Sequence, residues 1–192
     1  LQARQAAGNA DIEELDMSED LSFKVNRAPV LTLWAAIVAE RLGFDHDEAL
    51  TLGRAVAGLN AYAKGKRLGI YKPSSDSVSK KREERSAEGF EVDLLHRAIH
   101  AVATPEGIRA TAKGKPTRPA SVEKYLTSKF GDNLQATEKA MAVLAKSLPP
   151  DELSEIAYQL YERFRPEIPR GVEGWGATGI LSLAKIASAG QK

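Results

Sequence analysis

Three residues of this chain have the types and spacing of a metal site. Asp93, His96 and His100 are three and four apart, so on a helix they would share one face and offer a carboxylate and two imidazoles. Such a set suits a divalent transition metal and, with it, a metal-dependent enzyme. The set is thin, because the remaining histidine, His46, belongs to a distant segment. The plainer reading is that His96 and His100 flank an apolar helical stripe as boundary residues.

A second device is spelled by "GWGATG", Gly174 to Gly179, the G-x-G-x-x-G spacing with which dinucleotide-binding turns cradle a pyrophosphate. Those glycines work between a strand and a helix N-terminus. Here "FRPEIPRGVE" precedes them, and two prolines argue against a central strand. No carboxylate for a ribose stands about twenty residues further on in this sequence. The match reads as a glycine-permitted bend that tucks Trp175 into the core and starts the last helix. No cofactor is expected.

Other chemistry is thinner still. The sequence has no cysteine, which removes disulfides, thiolate nucleophiles and cysteine-bound metals. It contains neither a G-x-S-x-G elbow nor a Walker loop. Asp151 and Glu152, like Glu83 and Glu84, are adjacent, and adjacent helical residues do not face one another for shared acid–base work.

Charge is the remaining signal. The net charge is only +1, but it is unevenly placed. Residues 1–23 carry Asp11, Glu13, Glu14, Asp16, Glu19 and Asp20 against Arg4. Two later segments are basic: Lys64, Lys66, Arg67, Tyr71 and Lys72, then Lys113, Lys115 and Arg118. Cations interleaved with an aromatic can track phosphates without reading bases. The bland alternative is two solvated loops.

The elements that must position these residues read as helices. From Pro29, the residues Val30, Leu31, Trp34, Ile37, Val38 and Leu42 recur at helical spacing, and Gly43 ends the run. Asp45 and Glu48 make a capping box for a second helix lined by Leu52, Ala55, Val56, Leu59 and Tyr62. Gly53 and Gly58 inside it imply close packing against a neighbour. The pair has helix-turn-helix spacing, but Asp45, Asp47 and Glu48 would repel a phosphate backbone, so no recognition helix is expected.

A further helix is expected from Glu88, with Leu94, Leu95, Ala98, Ile99 and Val102 as its stripe and Thr104-Pro105 as its end. Ser121, the Asp132/Gln135 pair and Pro150 read as three more helix starts, and 180–187 as a last short helix.

The expectation is an all-α, multi-helix globular bundle, with one small basic β-hairpin near 108–118. It divides into an acidic arm (1–24), a helical pair (25–72), a polar and basic linker (73–88) and a C-terminal helical block (89–192). No secretory signal or membrane span is expected, and the reading is of a cytoplasmic protein. The leading functional reading is a non-catalytic binding module that contacts nucleic acid through its basic loops. A protein–protein adaptor or homodimerising regulator is the alternative, suggested by a first helix apolar almost all round. The metal-dependent enzyme stands third.

Overall fold

The computed structural model describes residues 21–67, 89–171 and 178–191, without the side chains of 64–67. Strand β1 (Ser22–Asn26) leads into α1 (Arg27–Arg41), which turns at Gly43 (φ 113°) into α2 (His46–Arg67). Four strands follow: β2 (Phe90–Leu94), β3 (Arg97–Thr104), β4 (Gly107–Ala112) and β5 (Lys115–Pro116). Then come α3 (Pro119–Phe130), a 3-10 turn (Gly131–Asn133), α4 (Leu134–Lys146), α5 (Pro150–Phe164), β6 (Thr178–Ser182) and α6 (Leu183–Ser188). Strands β2 to β5 form an antiparallel sheet in sequential order. β1 pairs with β6, Val25 opposite Gly179, and Glu167 bridges Ile180.

The fold is therefore mixed α and β, and the all-α expectation is overturned. The error lies chiefly at 89–104, where a helix was expected and a hairpin forms. Leu94, Leu95, Ala98, Ile99 and Val102 fit a helical stripe, but they equally fit two strands folded about Leu95-His96. Both turn residues have positive φ, 51° and 58°, as a two-residue hairpin turn requires. Asn and Gly usually supply that geometry, and neither is present. Leu95 is held there by burial, at 3% exposure, and His96 Nε2 lies 2.8 Å from the Glu155 carbonyl. The surrounding packing thus over-determines a conformation that Leu rarely adopts.

Two further strands were also missed. Ser22–Asn26, placed at the edge of an acidic arm, pairs with Thr178–Ser182, where the last helix was expected to begin. That helix starts only at Leu183. The hairpin expected near 108–118 does form, as β4–β5 turning at Lys113 and Gly114 (φ 53° and 76°), but as the end of a four-stranded sheet.

Helix α1 is the axis of the core. Pro29 to Ala36, Val38 and Ala39 are all buried, so its all-round apolar surface is explained by a central position and does not argue for an interface. Trp34, fully buried, meets Phe164 edge to face at 5.3 Å and donates its indole N–H to the Ala157 carbonyl at 2.8 Å. The capping box forms as read: Glu48 N–H donates to Asp45 Oδ1 (2.8 Å) and Asp45 N–H to Glu48 Oε1 (3.1 Å). Ser121 and Asp132 do not cap. The N-cap residues of α3 and α4 are Arg118 and Asn133, and neither makes a side-chain cap bond.

The two glycines of α2 play opposite parts. A Cβ on Gly53 would meet the Thr32 carbonyl oxygen at 2.5 Å and Ala36 N at 2.8 Å, so α1 and α2 touch backbone to backbone there. A Cβ on Gly58 would meet nothing within 4 Å, which corrects the expectation of close packing at that position. Gly53→Ala should therefore destabilise by about 1–3 kcal/mol, the range for overpacking. Gly58→Ala should stabilise by about 1 kcal/mol through helix propensity. Urea unfolding of the two variants beside the parent chain reads both signs.

Candidate functional site

Helix α2 shows one stripe to the sheet: Arg54, Ala55, Gly58, Leu59 and Tyr62, recurring each turn. Opposite lie Ala98, Ile99 and His100 of β3, Thr111 and Ala112 of β4, the Lys113-Gly114 turn, and Thr117. Together they enclose an open cleft of about 380 Å³. Helix and strand are joined by unusual bonds. β5 is two residues long, so among the described residues the outer edge of β4 has no strand partner over most of its length. Helix α2 supplies side chains in its place: Glu48 Oε2 accepts from Ile108 N–H (2.7 Å) and Thr51 Oγ1 from Ala110 N–H (3.1 Å). Those bonds carry the hairpin onto α2 and so build the cleft.

The cleft is apolar along its length and polar at chosen points. Thr111 Oγ1 lies 2.7 Å from His100 Nδ1, while His100 Nε2 is buried and finds no partner among the described residues. Gly89 backs that ring, for a Cβ there would sit 2.6 Å from Nε2. The Arg54 guanidinium stacks on the Tyr125 ring at 4.4 Å. Burial pushes the Tyr125 phenol up, with Arg54 opposing. Lys113, Lys115 and Arg118 stand exposed on the hairpin.

The residues singled out from sequence are redistributed. The hairpin end of the cleft carries Lys113, and α2 carries Tyr62 on the opposing wall; Lys115 and Arg118 are exposed but not among the lining residues. Lys64, Lys66 and Arg67 lie on the next turn of α2, and nothing is described of their side chains. Tyr71 and Lys72 lie outside the described residues, as do 1–20 and the linker. Arg109 is not free for phosphates: it is buried, reaching the Ile108 and Glu106 carbonyls and lying 3.9 Å from Asp47.

Asp93, His96 and His100 share no helical face. Asp93 pairs with Ala98 across the hairpin, His96 sits in its turn, and His100 lies opposite Glu91. Among the described residues no three His, Cys, Asp or Glu side chains are placed to hold a metal ion. Of the glycine motif, Gly174 to Ala177 lie outside the described residues. Thr178 and Gly179 open a strand, where a Cβ on Gly179 would meet the Glu167 carbonyl at 2.6 Å. That glycine serves strand pairing.

Sequence reasoning missed a polar knot at the other end of α2. Histidine 46, His46, brings together Glu40 of α1 (Nδ1, 2.5 Å) and Glu123 of α3 (Nε2, 3.2 Å). Glu138 of α4 lies close enough for its carboxyl to feel all three. The bond to Glu40 raises the His46 pKa above its ordinary value, despite an opposing contribution from burial. Burial likewise raises Glu138. Only the short Glu40–His46 separation could have signalled the knot, since Glu123 is 77 residues away.

Compared with known proteins, the chain matches no family model, no curated protein and no solved structure. Among the described residues, no helix is long and apolar enough to cross a membrane.

The knot makes stability depend on pH. A histidine whose folded pKa is raised stabilises fully below its unfolded value of 6.5 and loses that contribution as pH rises through the folded value. Glu138, also raised, acts in the same direction over a lower window starting near 4.5. Stability should therefore fall as pH rises from 6 to 8, and His46→Gln should flatten that slope. Urea midpoints across the interval measure it.

Proposed function

We propose that this chain is a non-catalytic module that binds single-stranded nucleic acid in the cleft between α2 and the β4–β5 hairpin. One observation carries the reading: the hairpin tip folds onto α2, so that cations far apart in sequence border one concavity. Lys113 lines one side and Arg54 and Tyr62 the other, while Lys115 and Arg118, both exposed, flank the lining residues Gly114 and Thr117 in the chain. The cleft volume of about 380 Å³ is at the small end for ligand pockets, a size that admits one base and its sugar.

Single strands are favoured over a duplex by shape. A duplex is read by a convex element that enters a groove, and the N-terminus of α2 carries Asp47 and Glu48, with Glu48 tied to β4. A concave, partly aromatic cleft with a cationic rim instead suits an unstacked base and its flanking phosphates. In this reading Lys113, Lys115 and Arg118 neutralise phosphates, and Tyr62 gives a base its apolar wall.

Binding of labelled single-stranded DNA and RNA, followed by fluorescence anisotropy over a salt series, tests this. Log affinity should fall linearly with log salt. Lys113→Gln with Lys115→Gln should lower the magnitude of the slope by about 1.4, two contacts at roughly 0.7 each for a single strand. No binding to either polymer at low salt, or a slope unchanged by the double substitution, overturns the proposal.

A further inference from the structure

Packing does not explain why residue 58 is a glycine. It stands well inside α2, where glycine costs helix stability relative to alanine. Its φ is not positive, so the backbone does not demand it. Gly53, one turn and a half earlier, makes room for the Thr32 carbonyl and for Ala36. Gly58 makes room for nothing: a Cβ there would meet no described atom within 4 Å. What the exposed Gly58 does border is the cleft between α2 and the sheet.

Its neighbours along the helix are chemically marked. Arg54, Gly58 and Tyr62 are four residues apart, so they share one face, and all three line the cleft. A guanidinium and a phenol ring thus flank a patch of bare backbone, their Cα atoms about 12 Å apart along the axis. Arg54 is held over the Tyr125 ring at 4.4 Å and meets no carboxylate among the described residues. Ala98, Ile99 and Ala112 line the sheet side.

A glycine lets a ligand come close to the main chain. A flat ring gains most from that approach, because a methyl group beneath it would hold its whole face away from its contacts. Arginine and aromatic side chains are also the groups on which unstacked bases rest.

We propose that Gly58 is the specificity-determining residue of the cleft: its bare backbone admits one nucleobase, laid against α2 between Arg54 and Tyr62. This rests on the cleft being the nucleic-acid site, and adds that a base is bound there as well as phosphate. Gly58 then acts oppositely on folding and on binding, weakening the helix and strengthening the complex.

Fluorescence anisotropy with two labelled deoxyribose-phosphate strands of equal length and charge, an oligothymidine and an abasic strand, tests this over a salt series. The parent chain should bind oligothymidine about tenfold more tightly than the abasic strand, the worth of one stacked base. Gly58→Leu should remove most of that difference, and Gly58→Ala a smaller part. For both variants the loss should be several-fold greater on oligothymidine than on the abasic strand. The salt slope should match the parent's, because no phosphate contact is altered. Urea midpoints of both variants should lie at or above the parent's, so that lost affinity is not lost fold. Equal binding of the two strands by the parent, or parental affinity in Gly58→Leu, overturns the proposal and leaves phosphate binding at the hairpin standing. Urea midpoints lowered in both variants also overturn it, since Gly58 would then serve the fold. Absence of binding to either strand at low salt removes this proposal together with the nucleic-acid reading.

Discussion

The burial of α1 on every side is the constraint on which the rest of this structure depends. A helix with no polar face must be enclosed, and the remaining elements are arranged to enclose it. Helix α2 does so most intimately, because Gly53 lets its backbone rest on Thr32 and Ala36. Helix α5 covers another side through Ala157, Leu160 and Phe164. Trp34 spans the gap between α1 and α5, and its indole N–H is satisfied by a main-chain carbonyl at Ala157. That bond requires Trp34 to lie in one orientation, since an unpaired indole N–H at 0% exposure would be costly. It therefore sets the register of α5 against α1.

With α2 held in place, the sheet follows from a shortage. β5 is too short to cover β4, and the exposed N–H groups of Ile108 and Ala110 need acceptors. Glu48 and Thr51 provide them. Glu48 is thus used twice, once in the capping box that starts α2 and once at the strand edge. The arrangement protects a strand edge without another strand. It also determines where the hairpin tip lies, and hence that Lys113 borders the same cleft as Tyr62 and Arg54.

The distribution of charge separates structural from available cations. Arg109 looks like part of a basic run in sequence, yet it is buried among carbonyls and beside Asp47. Arg54 and Arg97 are laid on the rings of Tyr125 and Tyr158. The hairpin lysines remain without carboxylate partners among the described residues.

Much of the helical framework was legible in the sequence, because its signals are local. The apolar period of α1, the Asp45–Glu48 box, Pro150 at the start of α5 and the Lys113-Gly114 turn each lie within a few residues. The β2–β3 hairpin was not legible, since its turn uses Leu95 and His96, residues that carry no turn signal and are held by contacts with the core and with Glu155. Nor was the pairing of β1 with β6, two five-residue strands whose partners stand more than 150 positions apart. Of the candidate sites, only the cations at the hairpin tip could be read in advance. The sequence by itself determined which segments coil, where the hairpin tip turns and which side chains carry charge, for these follow from spacing and backbone preference between near neighbours. Tertiary structure alone decided which apolar runs became strands, which arginines were consumed by packing, and which cations share a cleft, because those outcomes depend on hydrogen-bond partners and burial supplied by distant parts of the chain.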